Sequence, residues 1–213
     1  MNARELIKEI RDEVKDLNEK ILNHKFVKDI MKGNINLNKI KYFLVQQYYI
    51  ARNDARALAI MYSRADYPDN EFFFKLLLGH QNALKALNDD LKSFNINFDN
   101  VVYSLNYRAI SYTHFLQNLA YYGSLEEQIV AILINFPIFV ININNIGNVL
   151  KERGIEVKFF LGAKWEEDLE DLGLKILDKN LDIDKEKLKR LKNVARLIQE
   201  YELEYWNSVY DIQ

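Results

Sequence analysis

Residues 24 to 66 carry the clearest alternation of apolar and polar positions in the chain. Within HKFVKDIMKGNINLNKIKYFLVQQYYIARNDARALAIMYSRAD, Gly33-Asn34 followed by Asn36 and Asn38 reads as a turn with a helix start behind it. Glycine accepts positive φ there, and an asparagine side chain caps exposed amides. The pattern predicts a long helix from about Leu37 to Arg64. Ile40, Phe43, Leu44, Gln47, Ala51, Asp54, Ala55 and Leu58 recur at spacings of three and four, so they share one face. Gln47 and Asp54 interrupt that apolar stripe. An unpaired buried amide or carboxylate costs on the order of 1 to 3 kcal/mol or more, so the two need partners or a ligand. The face is therefore a candidate pocket wall, with ordinary hydrogen-bonded core polars as the alternative.

The same periodicity predicts an outer amphipathic helix over residues 3–22, with Leu6, Ile7, Ile10, Val14, Leu17 and Ile21 on its apolar side. Asp66-Tyr67-Pro68-Asp69-Asn70 breaks the chain after the long helix, and another helix follows from about Asn70 to Lys92. Two more are expected over about 100–122 and 124–151. They join at Tyr122-Gly123-Ser124, where glycine stops one helix and serine caps the next. The last two are expected over 158–178 and 182–210, separated by Lys179-Asn180-Leu181. Their charge runs read as solvated faces.

Between Asn97 and Val149 the charged residues are Asp99, Arg108, Glu126 and Glu127, whereas the C-terminal part is crowded with charge. The quiet segment is expected inside, with some of it available for pairing with a second copy. Its most apolar run, Ile129 to Ile141, is interrupted by Asn135 and Pro137. That run is too short to span a bilayer and reads as a buried helix kinked near Pro137. Asn142, Asn144 and Asn145 behind it suit a frayed end, a cavity lining or an oligomer contact.

Composition narrows the function classes. With 213 residues, 7 glycines and 2 prolines, the chain suits one all-α domain, 1–213, without repeats or linkers. A net charge of −2 gives no basic field for nucleic acid. Neither nucleic acid nor membrane is expected as a partner. The absence of cysteine removes disulfides, thiolate nucleophiles and thiolate metal sites. The N-terminus mixes both charge signs, unlike a signal peptide, so the cytoplasm is the expected location. His24, His80 and His114 are the histidines, and Leu76 and Leu77 stand where a carboxylate would have to join His80. No metal and no cofactor are expected. No glycine-rich phosphate loop, serine elbow or metalloprotease helix motif occurs.

Three stretches together resemble the TenA family, the thiaminase-2 relatives with a haem-oxygenase-like helical fold. They are His24 and Phe26 with KYFLVQQYY (41–49) and ARALA (55–59), SYTHFLQNLAYYG (111–123), and YELEYW (201–206). The resemblance implies a single-domain haem-oxygenase-like helical bundle that assembles as a homodimer or homotetramer. It implies a pocket for an aminopyrimidine or similar small heterocycle, with Glu202 as acid/base and Tyr112 pointing inward. A glutamate among Tyr201, Tyr205 and Trp206 sits in low dielectric unless paired, which raises its pKa and suits it to proton transfer.

The departures are as informative. Counted without gaps from Gly123, the family's nucleophilic cysteine falls on Asn135, or on Ile138 if Pro137 sets the register. The family's pocket aspartate falls on Gln47, and its tyrosines on Ile50, Phe139 and Leu169. Two functions are carried forward. One is hydrolysis of a C–N bond in thiamin salvage, with Glu202 acting through water, Tyr112 and Gln47 orienting the ring, and Asn135 polarising or positioning the water. The other is a ligand-binding or scaffold protein of the same fold without turnover. A metal-dependent oxidase-like relative is disfavoured by the histidine count.

Overall fold

A computed structural model describes residues 2–97, 105–180, 182 and 184–212. Among them, α1 (Ala3–Glu13), α2 (Lys15–Leu22), α3 (Lys25–Met31) and α4 (Leu37–Arg64) are followed by α5 (Asn70–Ser93) and α6 (Tyr107–Tyr122). Then come α7 (Leu125–Glu152), α8 (Lys158–Gly162), α9 (Glu167–Lys179) and α10 (Lys185–Tyr210). The protein is a single-domain, all-helical bundle with no strand among the described residues.

Helix α4 has the predicted limits. Gly33 takes φ 86° at the turn, and the Asn36 side chain accepts from the amides of Asn38 and Lys39 at 3.0 and 3.3 Å. Every position of its predicted stripe is buried, Gln47 and Asp54 included. One side of α4 packs on α5 and another on α6, while α10 lies against α6 and α7.

Helix α7 opens with a capping box between Ser124 and Glu127 and continues through Pro137. A proline there cannot donate to the carbonyl of Leu133. The Arg11 guanidinium donates to that carbonyl instead, at 3.2 Å, so the buried acceptor is satisfied. By length and composition α7 could cross a membrane, but 61% of its apolar window is buried inside the bundle, and that packing accounts for its composition. Asn142, expected at a fray or cavity, donates from Nδ2 to the Ile21 carbonyl at 2.9 Å and so closes the end of α2.

Two expected helices are interrupted. The one over 3–22 breaks at Val14, a fully buried β-branched residue with no side-chain cap. The bend lets α1 reach α7, α9 and α10 while α2 keeps Leu17 and Ile21 on α7 and α10. The one over 158–178 ends at Gly162 and resumes at Glu167, with Ala163 and Glu166 extended between. Part of the helix expected over 100–122 lies outside the described residues. Its described part starts at Tyr107 behind an Asn106 cap.

Short helix α8 has no cap of its own. Asp90 of α5 supplies one, accepting from the amides of Lys158 and Phe159 at 2.9 and 2.8 Å. Its other side meets α7, where a Cβ added to Gly147 would stand 2.7 Å from the Phe160 carbonyl oxygen. That oxygen belongs to backbone and cannot rotate away, so Gly147→Ala must push α8 outward. The expected cost is about 1 to 3 kcal/mol, read as a lowered thermal midpoint. An unchanged midpoint would contradict this close approach.

Behind the pocket described next, Phe43 packs against Phe160, Tyr205 and Trp206 with ring centroids 5.0, 5.3 and 5.7 Å apart. His24 braces this cluster as the cap of α3. Its Nδ1 accepts from the Phe26 amide at 3.2 Å, and Nε2 donates to Asn207 Oδ1 at 3.1 Å. Both nitrogens are thereby used in packing.

Candidate functional site

Helices α4, α5, α6, α7 and α10 enclose a pocket of about 480 Å³. Its floor holds Gln47, Ile50 and Asp54 from α4, Tyr112 from α6, Asn135 from α7 and Glu202 from α10, all buried. Every site residue expected from sequence on these helices is therefore gathered here, and Phe139 and Leu169 line the walls with Phe136, Phe159, Tyr205 and His80. Ile138 is not part of the lining, whereas its neighbours Asn135, Phe136, Phe139 and Val140 on α7 are. The mouth runs past exposed Lys75 and Asn82 of α5 and past Lys164 and Glu166 in the interruption between α8 and α9.

Asn135 is the hub of the floor. Its Oδ1 accepts from the Tyr112 hydroxyl at 3.0 Å, and its Nδ2 donates to Gln199 Oε1 at 2.9 Å and Glu202 Oε2 at 3.3 Å. Gln199 is held in turn by Asn18 of α2. The other Glu202 oxygen accepts from Trp206 Nε1 at 2.7 Å. With its carbonyl and amide engaged by protein, Asn135 orients Glu202 and Tyr112.

Burial pushes the Glu202 carboxyl from its ordinary 4.5 to about 7, against the opposing hydrogen bonds from Asn135 and Trp206. Asp54 is raised from 3.8 to about 7, first by burial and further by the charge of Glu202, while its 2.5 Å bond from Thr113 Oγ1 opposes the shift. Burial, with both carboxylates nearby, lifts the Tyr112 hydroxyl well above its usual range, so it remains a donor. Two carboxyl groups with no cation against them thus face one pocket, each able to hold or release a proton near neutrality. The Gln47 amide makes no hydrogen bond to a described residue.

Three lining groups escaped the sequence-derived site. Asp54 was visible as a polar break in the α4 stripe but had no assigned role. Tyr205 shares the turn after Glu202, and its buried hydroxyl has no partner among the described residues. His80 was weighed only as a metal ligand. Among the described residues no group of three or more His, Asp and Glu side chains is placed to hold a metal ion.

The sequence profile of the TENA/THI-4/PQQC family matches residues 11–212. The chain belongs to this family. No curated protein sequence matches it. Among solved structures, a TenA homologue from Pyrococcus furiosus is similar at 20% identity, with TM-score 0.81 over 96% of this chain and 100% of that one. A protein of Sulfolobus solfataricus, whose name suggests a TenA-like thiaminase, is similar at 18% identity and TM-score 0.72 over 96% and 95%. Haem oxygenase-1 from Synechocystis, solved in complex with haem, is similar at 14% identity and TM-score 0.70 over 95% and 91%. At these identities the likeness establishes a haem-oxygenase-like TenA fold. Asn135, one of the two positions to which the resemblance assigns the cysteine, and Gln47, to which it assigns the aspartate, both line this pocket.

Proposed function

We propose that the pocket takes a small amine-bearing heterocycle of the aminopyrimidine class, and that Glu202 drives hydrolysis of its C–N bond with water as nucleophile. The observation that carries this reading is Glu202 itself. It is a carboxyl fixed by Trp206 and Asn135, with a pKa near 7, bordering a pocket that opens to solvent. A group with that pKa both accepts and returns protons at neutral pH. Ionised Glu202 takes a proton from water as the oxygen bonds to the carbon that carries the amine. The C–N bond breaks, and the proton passes to the leaving amine, so R–NH2 and H2O become R–OH and NH3.

The remaining floor residues bind and orient. Gln47, with no partner among the described residues, offers a donor and an acceptor to ring nitrogens and exocyclic amines. Tyr112 directs its hydroxyl to Asn135 and presents its oxygen lone pairs. Ile50, Phe139 and Leu169 supply apolar contact for the ring. Assembly into a dimer or tetramer belongs to the same proposal, and Tyr107, Tyr121, Tyr122 and Ile141 are among the exposed apolar side chains that could take part.

A second reading, binding without turnover, is favoured by the lack of cysteine and by the engagement of Asn135 with protein groups. Incubation with 4-amino-5-aminomethyl-2-methylpyrimidine and with thiamin, following release of ammonia or of the thiazole and measuring binding by calorimetry, separates the two. Release supports the hydrolase. Saturable binding without release supports the second reading, and neither binding nor release overturns both.

A further inference from the structure

We propose that His80 is a second recognition point in this pocket, accepting a hydrogen bond from a neutral N–H or O–H on the part of the ligand nearest the mouth. The inference deepens the proposed function by naming the outer half of the ligand, but its test needs no aminopyrimidine.

The geometry leaves His80 one available function. Its Nδ1 lies 3.0 Å from the carbonyl of Leu76, one turn back on α5. A carbonyl only accepts, so Nδ1 carries the hydrogen. Only 8% of the residue is exposed, and burial holds its pKa below the ordinary 6.5 despite the backbone bond. The ring is therefore neutral, and Nε2 carries a lone pair. No described residue donates to that nitrogen, and His80 is part of the pocket lining.

Contrast with His24 makes the point. A packing histidine in this chain uses both nitrogens, one for the Phe26 amide and one for Asn207. His80 uses one for protein and leaves the other to whatever occupies the cavity. Nor does the lysine on the same helix take it. The Lys75 ammonium is paired to Asp168 at 2.6 Å. Among the described residues no cluster of ligating side chains surrounds the ring to hold a metal.

The walls near His80 define the rest of the ligand. Its ring lies 5.5 Å from that of Phe136, which in turn lies 6.4 Å from Phe139. The pocket has the size of sites that hold drug-sized ligands, so a heterocycle seated on the Glu202 floor leaves room toward α5. A flat or apolar link against the phenylalanines, ending in an amide N–H or a hydroxyl, fits that space.

The test uses the full chain labelled with ¹⁵N-histidine, where the three histidines give a simple spectrum and His80→Phe assigns the signal. N-methylbenzamide and methyl benzoate are titrated in; they share a shape and differ by N–H against O. The amide is expected to bind saturably, to move the His80 Nε2 resonance upfield, and to bind about three- to tenfold tighter than the ester. That preference should vanish in His80→Phe. Equal affinities, no saturable change at His80, or a preference that survives the substitution would overturn the proposal. If the variant does not fold, His80→Gln replaces it, and the ring proton on Nδ1 in His80 but on Nε2 in His24 tells those two signals apart in the wild-type chain.

Discussion

Replacing Glu202 by glutamine is expected to lower ammonia release from the aminopyrimidine by about 10²- to 10⁴-fold, the range that general acid–base catalysis contributes. Binding should change far less. Glutamine has the shape of glutamate and still accepts from Trp206 Nε1, but it cannot take a proton from water or return one. Its amide also points a donor toward the donor Nδ2 of Asn135, which loosens the link to Tyr112. Steady-state kinetics beside calorimetry reads the difference as a fall in kcat with Kd nearly held. Release within about threefold of wild type would move the acid/base elsewhere, with Asp54 the other carboxyl on the floor.

The same carboxyls tie stability to pH. Both have folded pKa values raised above the ordinary carboxyl range, so between about pH 4 and 7 the folded chain holds protons that the unfolded chain has lost. Stability therefore falls as pH rises through that window and levels off above it, the opposite of a carboxylate stabilised by a cation. For Glu202, moving from 4.5 to about 7, the loss is on the order of 3 kcal/mol. Denaturant unfolding of the wild type at pH 5 and pH 8 should show that loss. Glu202→Gln should remove the part belonging to Glu202. The pH slope is the diagnostic, because the amide also changes absolute stability through Asn135. An equal slope in wild type and variant would mean that Glu202 titrates as an ordinary surface carboxyl.

Local signals account for what the sequence made legible. The limits of α4 followed from Gly33, the Asn36 cap and a stripe with one period, and the cap of α7 followed from Ser124. The breaks did not, because their causes are distant in sequence. Asp90 caps α8 from another helix, and Arg11 satisfies the Leu133 carbonyl that Pro137 abandons, so α7 stays helical through the proline. The site divides the same way. Gln47 and Asp54 stood out as polar residues on an apolar face, whereas Glu202, Tyr112 and Asn135 came from likeness to TenA proteins. His80 had no signal of its own. Its free nitrogen exists because the Leu76 carbonyl takes the other and because α5 turns this residue toward the pocket.

The most direct measurement of whether Glu202 is a neutral-pH proton carrier is a ¹³C NMR titration of its side-chain carboxyl, assigned with Glu202→Gln and followed from pH 3 to 9. The expected result is a midpoint near 7, set by burial of the carboxyl. A midpoint at the ordinary 4.5 would contradict the buried acid/base and the hydrolysis built on it.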